Sequence, residues 1–407
     1  MRILVLARHP FGGLRGRQQQ IAIGLAAAGH RVLYVDPFPA DEGEPGEAAG
    51  GWTRRQERGV TVLGRASSAS PEAASAQARA ALAGGKGEFQ RWSRRVRALL
   101  EEMVQGDLFR SAEIPAPGPA AFDVALVYPP ALITAAHEAL GIPIVFDCEE
   151  DFPANAASRA LAEAYEQALD EGLPVAAGLI TVNRYLMESW GRLLRPDALQ
   201  AVIEHGADLE LFHPPDARAR AAAREALALP QAARVAAYVG RFDARLSYED
   251  LAHLLDEEQS LLLLLLGEVN DEGRAILERL PRERVITRGP LPQEQVAQLL
   301  AAADLILIPL RREPHLEAVR GLTLYEYLAT GLPVVGTFRR ATKAFRELLY
   351  LYATREELSA ALRAALNEKP GAPERAARVA AAREADWGRR VAAVEAFLTR
   401  VLEAQRG

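Results

Sequence analysis

The sequence has a single cysteine, no long apolar run and no excess of basic charge. The lone thiol, Cys148, excludes an intramolecular disulfide and any site built from several thiolates, and it fits a reducing compartment. The longest apolar stretch, Leu261–Leu266, falls far short of the ~18 residues that a bilayer span needs. The first apolar run, Ile3 to Ala7, is followed at once by Arg8-His9-Pro10 and is too short for a signal-peptide core. A cytoplasmic protein is therefore expected. Lys and Arg number 48 against 54 Asp and Glu, a net charge of −6, which argues against a nucleic-acid binder that works through bulk charge. No Asp-x-Asp occurs, and the seven histidines lack zinc-ligand spacing, so no metal is expected.

What is present points to an α/β protein. Of 407 residues 49% are hydrophobic, enough for two or three domains with cores of their own and too many for a disordered chain. Arg2–Ala7 is a continuous apolar run suited to a parallel strand covered on both faces. His9-Pro-Phe-Gly12-Gly13 breaks it, a helix spans about Gly16 to Ala28, and Arg31–Asp36 is the next strand, so a right-handed βαβ unit opens the chain. Parallel strands resume at Asp123–Tyr128, Pro143–Asp147 and Gly178–Val182. The second half repeats the scheme at Arg234–Val239, Leu261–Leu266, Val285–Thr287, Asp304–Pro309 and Pro333–Gly336. Residues 39–51 and 64–88 read as loops with a marginal helix, and Gln90–Val104 as a firmer helix. The expected fold is α/β, with two Rossmann-like doubly wound parallel-sheet domains over residues 1–204 and 205–386. A last helix, Trp387 to Ala404, follows within 387–407.

Ligands of open parallel sheets bind beyond the carboxyl ends of the strands. Gly12 and Gly13 lie between a strand and a helix, where backbone amides and the helix dipole suit an anion; a plain tight turn is the alternative. Asp36 imitates a dinucleotide fingerprint, but Gly12, Gly13 and Gly16 do not have its spacing. Arg241 and Arg245 follow the first strand of the second domain. Their guanidinium groups there suit a diphosphate leaving group, or form a solvated pair. Glu326 is early on a helix that starts near Arg320-Gly-Leu-Thr323, where the dipole favours a carboxylate and free amides suit phosphates. Leu324 and Leu328 have the spacing of a buried face, which turns Glu326 away from it. Glu149, Glu150 and Asp151 crowd beyond a strand end, a condition that raises at least one pKa, or they form a solvated acidic turn.

Several segments together resemble the retaining glycosyltransferases of the GT-B fold, family 4, and within it the bacterial polysaccharide enzymes such as teichuronic-acid transferases. They are Leu14-Arg-Gly-Arg-Gln-Gln-Gln-Ile-Ala22, Val145-Phe-Asp-Cys-Glu-Glu-Asp-Phe152, Ile203-Glu-His-Gly-Ala-Asp-Leu-Glu-Leu-Phe-His-Pro214, Tyr238-Val-Gly-Arg-Phe-Asp-Ala-Arg245, Arg288-Gly-Pro-Leu291 and Leu324-Tyr-Glu-Tyr-Leu-Ala-Thr-Gly-Leu-Pro-Val-Val335. The resemblance implies two domains facing across a cleft, the first for the acceptor and the second for the donor, with the C-terminal helix crossing back to the first. It implies transfer of a hexosyl group from a UDP- or GDP-sugar to a glycan, lipid-linked or small-molecule acceptor, with retention and with neither cofactor nor metal. It further implies that Glu326 holds the ribose hydroxyls and that Gly321, Leu322 and Thr323 bind phosphates. Gly12, Gly13 and Arg288 complete the nucleotide contacts, and Glu149, Arg241 and Arg245 stand at the catalytic centre. No enzymic nucleophile is required, because the departing phosphate can take the acceptor's proton. Ala318 stands where the family has the first of two glutamates, with Glu317 one residue away, and Glu149 replaces a histidine. A nucleotide-sugar epimerase and a non-catalytic partner subunit of the same fold stay open as alternatives.

One helix carries a further expectation. Phe89, Trp92, Val96, Leu99, Leu100 and Met103 form an apolar stripe, with Arg91, Arg94, Arg95 and Arg97 elsewhere on the same helix. Such a helix can lie on an anionic membrane, at the inner face of the plasma membrane, or turn its stripe to the core.

Overall fold

The computed structural model describes residues 1–11, 15–37, 52–65, 94, 97–98, 100–101, 122–156, 158–230, 232–313 and 323–406. It divides into two compact units: Met1–Glu204 with Trp387–Gly407, and His205–Asp386.

Unit 1 is built on eight strands: β1 (Arg2–Leu6), β2 (Arg31–Val35), β3 (Trp52–Glu57), β4 (Val60–Arg65), β5 (Val124–Val127), β6 (Ile144–Cys148), β7 (Gly178–Thr181) and β8 (Leu199–Val202). Their order is β3-β4-β2-β1-β5-β6-β7-β8. Every neighbouring pair is parallel except β3 with β4. This edge hairpin corrects the expectation of purely parallel strands, and β4 takes residues 64 and 65 from a segment read as loop. Arg54, Arg55 and Glu57 on β3 carry the charge that keeps an exposed edge from pairing with other chains.

Unit 2 has six strands: β9 (Arg234–Val239), β10 (Leu261–Leu266), β11 (Val285–Arg288), β12 (Leu305–Ile308), β13 (Val334–Thr337) and β14 (Tyr350–Tyr352). They are parallel throughout, in the order β11-β10-β9-β12-β13-β14 of a doubly wound nucleotide-binding sheet. The leucine run settles as a strand buried on both faces. Leu264 and Leu266 join the cluster of Val235, Ala237 and Ile306, while Leu261, Leu263 and Leu265 join that of Ala236, Leu305 and Leu307. Period-2 alternation into two cores is what a covered parallel strand requires.

The last helix, Trp387–Ala404, belongs to unit 1. It packs on the helix Arg17–Ala27, where a Cβ on Gly24 would stand 2.3 Å from Val391 Cγ2. Its Phe397 covers Gly178 of β7, where a Cβ would have only 3.0 Å. Trp387 and Phe397 are buried, and Glu395 bonds His30 at 2.9 Å. Within the expected helix Gln90–Val104, the described residues are helical. Leu100 lies in the core of unit 1, and Arg97 pairs with Glu101 and Glu138 at 2.9 Å each. The other stripe residues are outside the described ones. Among the described residues no helix is long and apolar enough to cross a membrane.

Candidate functional site

A doubly wound sheet opens a crevice where its winding reverses, between β1 and β5 in unit 1 and between β9 and β12 in unit 2. In unit 1 the loop after β1 is clamped by four side chains. Gln18 Oε1 accepts the amides of Arg8 and His9 at 2.8 and 3.3 Å, and Gln19 Nε2 donates to the Pro10 carbonyl at 2.9 Å. Tyr34 donates to the His9 carbonyl at 2.6 Å, and Asp36 accepts the Phe11 amide at 2.8 Å. Asp36 is thus a loop clamp. Burial raises its pKa, against the pull of that amide and of Arg55.

The free end of the Gln18 amide reaches the loop after β6. Nε2 donates to Glu149 Oε1 at 2.7 Å. Burial pushes the Glu149 carboxyl from its ordinary 4.5 to about 7; Arg8 opposes the rise, while Glu150 and Asp147 add to it. The crowding of carboxylates legible in the sequence is real, but burial is the larger cause. Beneath this pair Arg17, 1% exposed, donates Nε to both oxygens of Asp147 at 3.0 and 2.9 Å and Nη1 to the Glu204 carbonyl at 3.0 Å. Arg8 pairs with Glu150 and covers the Phe152 ring at 5.1 Å from its centroid.

In unit 2 three adjacent strands end in glycines with positive φ: Gly240 at 150°, Gly267 at 147° and Gly289 at 125°. A Cβ on Gly267 would lie 2.0 Å from the Gly240 carbonyl oxygen, so the strand ends approach at a distance only glycine permits. Beyond them stand the predicted arginines. Arg241 pairs with Glu268 at 3.3 Å, and Arg245 clasps Asp243 with Nε at 2.9 and 3.0 Å and Nη2 at 2.7 Å. Arg288 ends β11, exposed, with Nη1 on the Thr287 carbonyl at 2.9 Å.

Glu326 lies on the helix Thr323–Ala329, all of whose residues from Leu324 onward are buried. The helix is thus buried beyond the face of Leu324 and Leu328, and Glu326, which that spacing turns away from them, is itself 5% exposed. The next residue anchors the helix, because the Tyr327 hydroxyl donates to the Val239 carbonyl at 2.8 Å and accepts the Val239 amide at 3.0 Å. Only Gly240 separates that anchor from Arg241. Glu326 Oε1 accepts Gln293 Nε2 at 2.6 Å. Burial raises this carboxyl to about 8; the Gln293 bond opposes and the charge of Asp208 adds to it. Gln293, 6% exposed, has no partner for its Oε1 among the described residues.

The structure therefore gathers Arg241, Arg245 and Arg288 at the strand ends of unit 2, fixes Glu326 to the same edge, and places Glu149 in unit 1. Thr323 opens its helix. Gly12, Gly13, Gly321, Leu322, Glu317 and Ala318 lie outside the described residues. A cavity of about 270 Å³ in unit 2 is bordered by Glu210, Leu211, Phe212, Leu300, Thr330 and Leu332, and none of the predicted site residues borders it. Among the described residues no cluster of His, Cys, Asp or Glu is placed to hold a metal ion. Sequence reasoning missed Arg17, Gln18, Asp147 and Gln293. Only the first two left a signal: Arg17 and Gln18, with Gln19, are consecutive polar residues on one helical turn, in a segment that already carried the resemblance.

Residues 233–368 match the family of glycosyl transferases group 1. The D-inositol 3-phosphate glycosyltransferase of Corynebacterium urealyticum is 32% identical over 151 residues, 34% of each chain. The glycosyltransferase TuaH of Bacillus subtilis, assigned to teichuronic acid biosynthesis, is 28% identical over 140 residues, 33% of each chain. The chain thus spans about a third of the length of these curated relatives. The E. coli trehalose-6-phosphate structure bound with UDP-2-fluoro glucose superposes with a TM-score of 0.69 at 16% identity, covering 99% of both chains. The chain has the GT-B fold.

Proposed function

We propose that the chain is a glycosyltransferase that takes a nucleotide sugar on unit 2 and passes its sugar, with retention, to a glycan, lipid-linked or small-molecule acceptor on unit 1. The observation that carries this reading is the company Glu326 keeps. A buried carboxyl, held by one amide, is tied through Tyr327 to the strand end from which Arg241 and Arg245 follow. A ribose on the carboxyl and a diphosphate on the arginines match that order of groups. The match to glycosyl transferases group 1 covers all four residues, and a structure of the same fold is bound with a UDP-sugar analogue.

In the proposed reaction the bond from the anomeric carbon to the diphosphate oxygen breaks with both electrons going to the phosphate. The acceptor oxygen bonds that carbon on the same face, and its proton passes to the departing phosphate. Arg241 and Arg245 neutralise the charge that develops, and the diphosphate replaces Glu268 and Asp243 as their partner. Glu149, near 7, can receive or give a hydrogen bond to an acceptor hydroxyl at neutral pH. No metal and no cofactor takes part.

The test is a panel of UDP- and GDP-sugars, read by thermal stabilisation and by acceptor-dependent release of the nucleotide. Stabilisation by one nucleotide with release is the expected result. An isomerised donor without acceptor means an epimerase, and no response to any nucleotide means a partner subunit. Glu326→Ala should weaken nucleotide binding by roughly three- to ten-fold, the worth of about 0.5–1.5 kcal/mol for a hydrogen bond to a carboxyl that burial keeps protonated near neutral pH.

A further inference from the structure

A buried amide with one polar atom engaged and the other idle is a costly arrangement, and proteins rarely keep one without a use. Gln293 has this arrangement. It opens the helix Gln293–Leu300 just after the loop that leaves β11, on the carboxyl edge of the sheet. Its Nε2 is spent on Glu326, and its buried Oε1 has no donor among the described residues. We propose that Gln293 is a second nucleoside-binding residue, which with Glu326 takes the two hydroxyls of a ribose and completes its missing hydrogen bond only in the bound state.

The inference rests on the reading of Glu326 as the ribose carboxyl. Glu326 has one oxygen held by Gln293, which leaves the other for one hydroxyl, and the idle end of the amide takes the second. A hydroxyl both gives and accepts a hydrogen, so it satisfies the amide whichever way round its oxygen and nitrogen sit. Selectivity for ribose over a sugar lacking these hydroxyls follows, because a ligand without them leaves the buried amide unpaired.

The experiment measures affinity for UDP and GDP, and for their 2′,3′-dideoxy analogues, in wild type, Gln293→Met and Glu326→Ala, alongside the melting temperature of each empty protein. Gln293→Met keeps the length of the side chain and removes its polar atoms. It should lower ribonucleotide affinity about five- to ten-fold, leave the dideoxy analogue unchanged, and lower the melting temperature of the empty protein by no more than the loss of its one bond to Glu326 entails. Gln293→Asn, which withdraws the amide by one methylene, should show the same ribose-selective loss. Wild-type affinity in Gln293→Met, or an equal loss for both ligands, overturns the inference while a weakened Glu326→Ala keeps the underlying reading. An unchanged Glu326→Ala removes both.

Discussion

Each unit presses a glutamine amide against a carboxyl at the carboxyl edge of its sheet, at 2.7 Å for Gln18 with Glu149 and 2.6 Å for Gln293 with Glu326. The surroundings differ. Gln18 takes two backbone amides on its oxygen, and Glu149 has Arg8 nearby to oppose its neutralisation. Among the described residues Gln293 takes nothing on its oxygen, and the charge that bears on Glu326 is that of Asp208. The first pair is closed within the protein. The second is one partner short, and its carboxyl titrates higher, near 8 against near 7. Similar local chemistry is thus closed among protein groups in unit 1 and, among the described residues, left open on one amide oxygen in unit 2.

Four experiments press on this contrast. The largest effect is expected for Glu149→Ala, which should lower kcat by about a hundredfold or more if this carboxyl serves the acceptor hydroxyl; the wild-type pH profile should carry a limb near 7 that the variant loses. Next come the two glutamines exchanged for methionine. Gln18→Met strips the acceptor from the Arg8 and His9 amides and should cost roughly 2–4 kcal/mol in urea unfolding, whereas Gln293→Met, which removes the single bond to Glu326, should cost about 1 kcal/mol. Equal losses would erase the distinction. Third, the sign of the pH dependence is set by both carboxyls, whose pKa values rise on folding from 4.5. Their contribution to stability is complete below 4.5 and is lost as pH climbs through 7 and 8. Glu326→Gln, neutral at every pH, should flatten that decline by up to about 1 kcal/mol per pH unit and be the more stable protein at pH 8.5. Last, EDTA should leave turnover unchanged; a loss that Mg²⁺ or Mn²⁺ restores would hand the leaving group to a metal.

The central strands were legible because a strand covered on both faces must be an unbroken apolar run, as at Ile3–Leu6 and Leu261–Leu266. Edge strands escape that rule. Trp52–Glu57 carries three charged residues and Leu199–Val202 alternates, since each has only one strand beside it. Site residues that end strands, such as Glu149 and Arg241, could be placed from the position of the strand before them. Their partners could not. The bond from Gln18 to Glu149 spans 131 residues, and that from Gln293 to Glu326 spans 33, and neither leaves a periodic trace. The polar triplet Arg17-Gln18-Gln19 points the wrong way under ordinary amphipathic rules, because all three are about 1% exposed.

The two crossings of the chain between units carry a consequence for synthesis. Unit 2 is one uninterrupted stretch whose ends meet, with the Ala207 amide on the Ala385 carbonyl at 2.8 Å, so it is complete once residue 386 has left the ribosome. Unit 1, begun first, is finished last. Until Trp387–Ala404 emerges, Gly24 and Gly178 lack the Val391 and Phe397 that cover them, and the apolar surface left bare is what a trapping chaperone or an aggregating neighbour would meet. A premature stop before residue 387 would therefore injure the half of the protein translated earliest, and spare the half translated after it.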